Sequence, residues 1–265
     1  MSIVQLPSMD MYWSTDYMFG NLFIPNIMPR DRFDKLLQYF HANDSTKNQP
    51  RDNPRHDRLH HKRPIMDIVK KKCVDEYQPH QNTSVDEALI AFRGRLGFRQ
   101  YLPAKPTKYG VKVWMSADSE NGFANEFDVY TGKKGDETNA RYGLTTRVVL
   151  NLTRSIANKN HIVNLDNYFT SFQLFEILKR QSTYARGTAQ SNRKEFPARL
   201  LHPKCVKNQG DVKIVQRGKM VAYAWKKKEV IYFLSTADDP TEVGAQVPGR
   251  QKDGTQRQVQ SPSVV

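Results

Sequence analysis

The fold is decided by the segment Ser84-Val-Asp-Glu-Ala-Leu-Ile-Ala-Phe92. It is mostly apolar, contains β-branched residues and has the length of a strand, which predicts a buried β-strand. Two acidic residues interrupt it, Asp86 and Glu87, and they face opposite sides of the strand. Glu87 is interpreted as structural, whereas a carboxylate such as Asp86 inside a mostly apolar strand does not serve as a packing residue. Asp86 is therefore the first candidate for a functional side chain.

The segments that follow predict an antiparallel meander and then two helices that flank a strand. Residues 109–115 alternate with period two and place Val111, Val113 and Met115 on one face, and residues 123–130 predict a third strand. Glycine-bearing turns separate these strands, as in a meander. The next three elements are a helix over 143–157, a strand over 161–166 and a helix that begins after Thr170 or Ser171.

This order of elements is compatible with a ribonuclease H-like α/β fold. In such a sheet the first and fourth strands are neighbours, so Asp86 and Asp166, which ends the fourth strand, converge. Paired carboxylates are the hard oxygen ligands that hold Mg²⁺ for phosphodiester cleavage. The alternative is that Asp166 is a turn or helix-capping residue, a commoner role for aspartate at the end of a strand.

Periodicity and composition divide the chain into four predicted regions. The first is helical, because its apolar residues recur with helical spacing. The third is rich in short strands joined by basic turns, and the last is polar, lacks periodicity and is interpreted as a tail. The regions are a helical part over 1–82, the RNase H-like core over 83–184, a β-rich insertion over 185–245 and a polar tail over 246–265.

The composition describes a folded and strongly basic protein. Of the 265 residues, 41 are lysine or arginine and 27 are aspartate or glutamate, a formal net charge of +14, and aromatic residues make up 11%. A disordered chain typically lacks that many aromatic residues. A positive charge of this size favours a polyanionic partner, although charge alone does not separate DNA from RNA or an acidic protein.

Several classes of protein are excluded by the sequence. The apolar runs, such as those over 220–225 and 230–234, are far shorter than the roughly 18 residues that indicate a membrane span. The first residues lack the basic and apolar regions of a signal peptide. The only cysteines, Cys73 and Cys205, form neither a disulfide framework nor a cysteine-rich zinc module. We therefore expect a soluble, intracellular protein that binds neither membrane nor zinc.

Six basic residues are interleaved with aromatic residues just after the Asp86 strand. In one interpretation they form a ribbon that contacts a phosphate backbone beside the site. In the alternative they are solvated residues of a strand whose aromatic side chains point into the core. The DNA-binding candidates are Arg93, Arg95, Arg99, Lys105, Lys108 and Lys112, interleaved with Phe92, Phe98, Tyr101 and Tyr109.

The sequence around both aspartates resembles the core of piggyBac-type transposases. The resemblance rests first on Ser84-Val-Asp-Glu-Ala-Leu-Ile-Ala-Phe-Arg-Gly-Arg95 and Leu165-Asp-Asn-Tyr-Phe-Thr-Ser171. Further similar strings are Phe98-Arg-Gln-Tyr-Leu-Pro-Ala-Lys-Pro-Thr-Lys-Tyr-Gly-Val-Lys112, Asp128-Val-Tyr-Thr-Gly-Lys133, Asn192-Arg-Lys194 and Phe233-Leu-Ser-Thr-Ala-Asp-Asp-Pro-Thr-Glu242. Together with Tyr12-Trp-Ser-Thr-Asp16 and residues 30–44, they follow the family's order and extend over nearly the whole chain, which chance does not explain.

The resemblance implies a cut-and-paste DNA transposase, or a host protein derived from one, with an RNase H-like core. It implies that Asp86 and Asp166 are the first two catalytic aspartates and bind Mg²⁺ or Mn²⁺. The implied partner is double-stranded DNA, at transposon ends and TTAA targets, and no small-molecule substrate is implied. The resemblance also implies a nuclear protein that forms a homodimer, and it implies that the helical region over 1–82 serves dimerisation and DNA binding.

The sequence departs from the family at its end. The family's third catalytic aspartate lies in a Gly-Gly-Val-Asp string expected soon after Val265, and the zinc-binding module follows it. Asp238 and Asp239 belong to an earlier string and do not replace that residue. We therefore expect a fold truncated at both ends, incomplete at the C-terminus and lacking the full catalytic set. The alternatives are a non-catalytic DNA-binding or chromatin-associated protein and a decayed transposon copy.

Overall fold

The computed structural model describes residues 4–20, 23–103, 105–132, 141–250 and 256–265 of the chain. They belong to two compact units, Met1–Met66 and Asp67–Val265. None of the helices in the described ranges has the length and hydrophobicity needed to cross a membrane.

The first unit contains short helices and turns. It contains α1 (Phe23–Ile27) and α2 (Arg30–Tyr39), with short 3-10 turns at Met9–Trp13 and Ser45–Lys47. Helix α2 begins after Pro29, which has the extended conformation of a helix N-cap, and Asp31 lies in its first turn, where the helix dipole favours an anion. Helix α3 (Arg63–Glu76) follows in the sequence and continues into the second unit.

The second unit is built on one large mixed sheet. Its strands are β1 (Asn82–Ala91), β2 (Gln100–Tyr101), β3 (Tyr109–Asp118), β4 (Ala124–Val129), β5 (Ile162–Leu165), β6 (Tyr184–Ala189), β7 (Val212–Arg217), β8 (Met220–Lys226) and β9 (Val230–Ser235). Within the described residues the order is β2-β3-β1-β5-β6-β9-β8-β7, with β4 also paired to β3. The pairs β1–β5 and β5–β6 are parallel, and the other pairs are antiparallel. The predicted meander and the predicted neighbourhood of the first and fourth core strands are both confirmed.

Two helices, α4 (Leu144–Leu152) and α5 (Phe172–Arg180), bury one face of this sheet. Helix α5 begins after Ser171, whose hydroxyl accepts a hydrogen bond from the Leu174 amide at 3.3 Å, so the predicted cap is confirmed. Side chains alternate along a strand, so Asp86, next to buried Val85, lies on the opposite face. The buried layer includes Val85, Trp114, Val149, Leu152, Val163, Leu165, Leu174, Phe175 and Leu178.

The β-rich region over 185–245 continues the same sheet. Strand β6 pairs with β5 on one side and with β9 on the other, where Gly187 lies opposite Leu234. Strand β8 is buried on both faces from Met220 to Trp225, because β7 and β9 flank it and apolar residues cover it. The predicted strands of this region are confirmed, and they widen the sheet that carries Asp86 and Asp166.

The end of the chain is structured where the sequence predicts a polar tail over 246–265. Within the described residues, β10 (Val243–Arg250) and β11 (Gln256–Pro262) form a separate antiparallel pair, and residues 251–255 of the predicted tail lie outside that description. Val259 and Val264 are buried with Tyr223 and Trp225, and the Trp225 indole N–H donates to the Gln260 carbonyl at 3.1 Å. Scattered valines among polar residues leave no periodic signal, so only the contact with β8 reveals this hairpin.

A buried carboxylate ties the segment after α3 to the end of β3. The Asp118 side chain has no exposed surface, and it accepts hydrogen bonds from the Tyr77 hydroxyl at 2.7 Å and the Glu120 amide at 2.8 Å. The His80 amide and its ring Nδ1 each lie 2.8 Å from the same carboxylate. Burial by itself would raise the pKa of Asp118, but these hydrogen bonds outweigh it and hold the pKa well below its usual range. The bond to Asp118 and the charge of Glu120 raise the pKa of His80.

The substitution Asp118→Asn is expected to lower the free energy of unfolding by about 2 kcal/mol near neutral pH, because a hydrogen bond to a charged acceptor is worth roughly 1.5–3 kcal/mol. In the wild type, the Asp118 contribution is complete above the unfolded-state pKa of about 3.9 and declines as the pH falls from there through the lowered folded-state pKa. The His80 contribution is complete below about pH 6.5 and declines as the pH rises through the raised folded-state pKa.

Urea unfolding at a series of pH values measures how the free energy of unfolding changes with pH on the acid side and on the alkaline side. Glu176→Gln, which removes an exposed carboxylate from α5, is the matched control and should preserve the wild-type profile. If the free energy of unfolding of Asp118→Asn fell with decreasing pH as steeply as that of the wild type, the role given to Asp118 would be wrong.

Candidate functional site

The two candidate aspartates lie side by side at the end of the parallel pair β1–β5. The register pairs Val85 with Leu165, so Asp86 and Asp166 are the next residues on the two strands. Both residues are exposed. Asp86 lies on the side of the sheet opposite the α4–α5 layer, and Asp166 lies in the turn directly after β5. The convergence predicted from the order of strands is present in the structure.

Each of these carboxylates has one oxygen held by the backbone and one oxygen free for a ligand. The Asp86 Oδ1 accepts from the Glu87 amide at 2.7 Å. The Asp166 Oδ1 accepts from the amides of Tyr168 at 3.0 Å and Phe169 at 3.3 Å. Within the described part of the chain, the Oδ2 atoms of both aspartates have neither a hydrogen bond nor an ion pair. Asp166 therefore has the predicted turn role through one oxygen while the other stays available.

The electrostatics of the pair are those of two like charges held close together. Partial desolvation of its carboxyl group raises the pKa of Asp166, although the residue as a whole is exposed. The amides of Phe169 and Tyr168 oppose this, and the negative charges of Asp86 and Glu87 raise the pKa of Asp166 further. A cation bound between the two aspartates would relieve this repulsion.

An arginine outside the sheet holds the turn that carries Asp166. The Arg193 guanidinium donates to the carbonyl oxygens of Asn167 at 2.7 Å and Tyr168 at 2.8 Å. At the far side of the turn, the Thr170 hydroxyl donates to the Asp166 carbonyl at 2.8 Å. Sequence reasoning assigned no role to Arg193, and the only available signal was its place in the Asn192-Arg-Lys194 string.

Glu87 and Lys112 form an ion pair next to the aspartates. The Lys112 Nζ also lies 5.2 Å from the centroid of the Tyr168 ring and 5.6 Å from that of Trp114, and the side chain is only 12% exposed. The Lys105 ammonium donates to the Glu87 carbonyl at 3.4 Å. Two of the six basic candidates thus contact Glu87: Lys112, which is largely buried, and Lys105, whose side chain is 37% exposed.

The other four basic candidates lie at the surface. Arg93, Arg95, Arg99 and Lys108 are all exposed. The Arg99 guanidinium donates to the carbonyl oxygens of Arg93 at 3.3 Å and Gly94 at 3.4 Å, which fixes its position on the loop. These four side chains are therefore the ones accessible to a phosphate backbone.

The aspartate pair suits a hydrated divalent cation. In the described ranges no group of three or more His, Cys, Asp or Glu side chains is close enough to hold a metal ion. Mg²⁺ is nevertheless commonly held by one or two carboxylates, with waters and substrate phosphates completing its octahedral shell. Asp86 and Asp166, each with an available oxygen, fit that mode of binding.

A ribonuclease H-like sheet with two aspartates on adjacent parallel strands is the core of the DDE class of transposases. A family model described as Transposase IS4 matches residues 1–265. Among solved structures, the chain is similar to a piggyBac transposase in a synaptic complex with hairpin DNA, with 28% identity and a TM-score of 0.75. The similarity covers 89% of this chain and 48% of that one. The chain belongs to the piggyBac family of DDE transposases.

Two human proteins are similar over most of the chain. PiggyBac transposable element-derived protein 3 is 25% identical over 240 residues, which cover 88% of this chain and 39% of the human protein. PiggyBac transposable element-derived protein 5 is 25% identical over 256 residues, covering 92% of this chain and 47% of its relative. The chain thus spans less than half the length of these relatives.

Gly187 permits the close approach of β6 to the strand that ends at Asp166. A Cβ atom at this position would lie 2.2 Å from the Leu165 carbonyl oxygen and 2.7 Å from the Thr170 hydroxyl. Gly187→Ala is therefore expected to lower the free energy of unfolding by about 1–3 kcal/mol, the usual cost of overpacking. Gly97→Ala is the control, since a Cβ there meets nothing within 4 Å. Equal urea-unfolding stabilities of the two variants would contradict this role.

Arg193→Ala is expected to loosen the Asp166 turn with little change in global stability. Because two charge-assisted hydrogen bonds are lost, the amide hydrogens of Tyr168 and Phe169 should exchange with solvent about tenfold faster or more. Hydrogen exchange followed by mass spectrometry measures this directly. Lys194→Ala removes an exposed neighbouring charge and should leave exchange unchanged. If the amides of Tyr168 and Phe169 exchanged as slowly in Arg193→Ala as in the wild type, Arg193 would not hold this turn.

Proposed function

We propose that this chain binds double-stranded DNA and that Asp86 and Asp166 hold a divalent cation, the ion that serves DNA strand cleavage and transfer in a catalytically complete member of the family. The observation that carries the proposal is the pair of aspartates on adjacent parallel strands, each with a free carboxylate oxygen. Membership of the piggyBac family supports the same assignment. Mg²⁺ or Mn²⁺ is the expected ion, because the available ligands are hard oxygen atoms.

The residues around the aspartates prepare the site for such an ion. A bound divalent cation would polarise a phosphoryl oxygen and lower the pKa of a bound water. The amides of Tyr168 and Phe169 fix the Asp166 carboxylate, and Arg193 fixes the turn that presents these amides. Lys112 pairs with Glu87, so this third carboxylate is neutralised within the protein.

The DNA partner is proposed from charge and from similarity together. Arg93, Arg95, Arg99 and Lys108 are exposed basic residues on the segment that follows the Asp86 strand. The similar piggyBac transposase was solved with hairpin DNA, which supports a DNA partner for this chain. Within this proposal the targets are transposon ends and TTAA sites, the protein acts in the nucleus, and the helical region over 1–82 mediates a homodimer.

We further propose that the chain as it stands binds DNA without cutting it. The 265-residue sequence contains no Gly-Gly-Val-Asp string, the string in which the family carries its third catalytic aspartate. Incubation with transposon-end DNA and Mg²⁺ or Mn²⁺ tests this point. Strand cleavage that Asp86→Asn abolishes would overturn it and would establish an active enzyme.

Metal binding by the two aspartates is tested by titration with Mn²⁺, followed by electron paramagnetic resonance of the free ion. Asp86→Asn or Asp166→Asn should weaken binding about tenfold or more, because each removes a charged ligand, and changes outside the ligand shell alone cost roughly 10–100-fold. Glu176→Gln, which removes an equally exposed carboxylate, should bind Mn²⁺ like the wild type. Equal affinities of all four proteins would exclude the site.

Binding to labelled duplex DNA, measured by fluorescence anisotropy over a range of salt concentrations, distinguishes DNA contact from metal chemistry. The slope of log affinity against log salt should decrease by about one for each contacting arginine removed, as in Arg93→Ala and Arg95→Ala. Asp166→Ala should retain DNA affinity, which is also what a non-catalytic DNA-binding protein would show. A wild-type protein that does not bind DNA at any salt concentration would overturn the DNA proposal.

A further inference from the structure

A half-exposed aromatic stack lies on strands β2 and β3. Tyr101 and Tyr109 lie directly opposite each other in the antiparallel register, with ring centroids 4.7 Å apart and an interplanar angle of 34°. The Arg99 guanidinium lies over the Tyr109 ring, 5.3 Å from its centroid. Tyr109 is thus in contact with both Tyr101 and Arg99.

This stack is not part of the hydrophobic core. Tyr101 is 53% exposed and Tyr109 is 51% exposed, whereas Phe98 in the same loop is buried. The interpretation that the aromatic residues of this segment point into the core therefore holds for Phe98 and fails for the two tyrosines. Large aromatic surface exposed to water is available for contact with a ligand.

The charge around the stack identifies the chemistry of that ligand. Arg93, Arg95 and Lys108 are exposed on the same segment, and residues 92–109 contain no acidic side chain. Arg99 is held in place by the carbonyl oxygens of Arg93 and Gly94, so the stack is ordered before any ligand arrives. Flat aromatic rings surrounded by cations favour a nucleic acid, whose bases stack on the rings while its phosphates contact the cations.

The strand that carries Tyr109 pairs directly with the strand that carries Asp86, because β3 is the antiparallel partner of β1. Gly110 is paired with Ala91, so Tyr109 is level with the residue after Ala91, six residues from Asp86. At about 3.3 Å per residue, the stack is roughly 20 Å along the strand from the aspartate. A DNA strand that enters the aspartate site can therefore extend to it.

We propose that Tyr101 and Tyr109 form a stacking platform for an unpaired base of DNA, with Arg93, Arg95 and Lys108 contacting the adjoining phosphates. This inference rests on the proposed DNA binding and specifies the form of DNA that this surface takes. The base must be unpaired and unstacked, because bases inside a duplex already have neighbours on both of their faces. The competing role is a cross-strand pair that only stabilises the β2–β3 pairing.

Two DNA probes separate these roles in an anisotropy experiment: a blunt duplex and the same duplex with a single-stranded four-nucleotide extension. The wild type should bind the extended probe more tightly. Tyr101→Ala should weaken binding of the extended probe by about fivefold to a hundredfold, the range for one base–aromatic stack, and leave the blunt duplex unaffected. Tyr101→Trp should retain the preference, and Leu200→Ala, which removes an exposed apolar side chain outside the helical region, should match the wild type.

The possible outcomes are distinct. If the wild type binds neither probe, the proposed DNA binding fails, and the platform fails with it. If it binds both probes but Tyr101→Ala weakens both equally, or weakens neither, DNA binding stands and the platform is wrong. Thermal unfolding verifies that the variants are folded, and Tyr101→Thr, which keeps strand propensity, replaces the alanine variant if that one is unstable.

Discussion

The parallel pairing of β1 with β5 is the constraint on which the site depends. Its register runs from Asn82 opposite Ile162 to Val85 opposite Leu165. Beyond these residues β1 continues with only β3 as a partner, and the chain after β5 enters the turn that leads to α5. The two aspartates are the first residues past the shared hydrogen bonds, so both carboxylates emerge where the sheet opens on one side.

The two faces of the sheet differ in the contacts that they make. The face under α4 and α5 holds a dense apolar layer that includes Leu165 and Val85, and this layer fixes the backbone directly before each aspartate. The opposite face carries Asp86, the turn after β5 carries Asp166, and polar contacts set the geometry of both carboxylates. Backbone amides hold one oxygen of Asp166, Arg193 holds the turn behind it, and Gly187 keeps β6 close to Leu165. Like charges are thus held close by packing, in a position where a cation can bind.

The regular elements of the core could be predicted because their signals are local. β3 carries Val111, Val113 and Met115 at alternate positions, basic turns join β7, β8 and β9, and Ser171 precedes a periodic helix. The sequence did not predict β6, because the strand is short and Gly187 interrupts its apolar residues. Its pairing with β5 and β9 in the sheet defines it as a strand. The β10–β11 hairpin escaped prediction because its buried valines are isolated among polar residues.

By itself, the sequence determined the family, the order of the core elements and the two aspartates, since each follows from residue identity and spacing along the chain. Only the tertiary structure decided which basic residues remain available. Lys112 and Lys105 turn to Glu87, whereas Arg93, Arg95 and Lys108 stay at the surface. The tertiary structure also separated Phe98, which is buried, from Tyr101, which is exposed. The physical reason is that charge pairing and burial depend on neighbours from distant strands, which the local sequence does not specify.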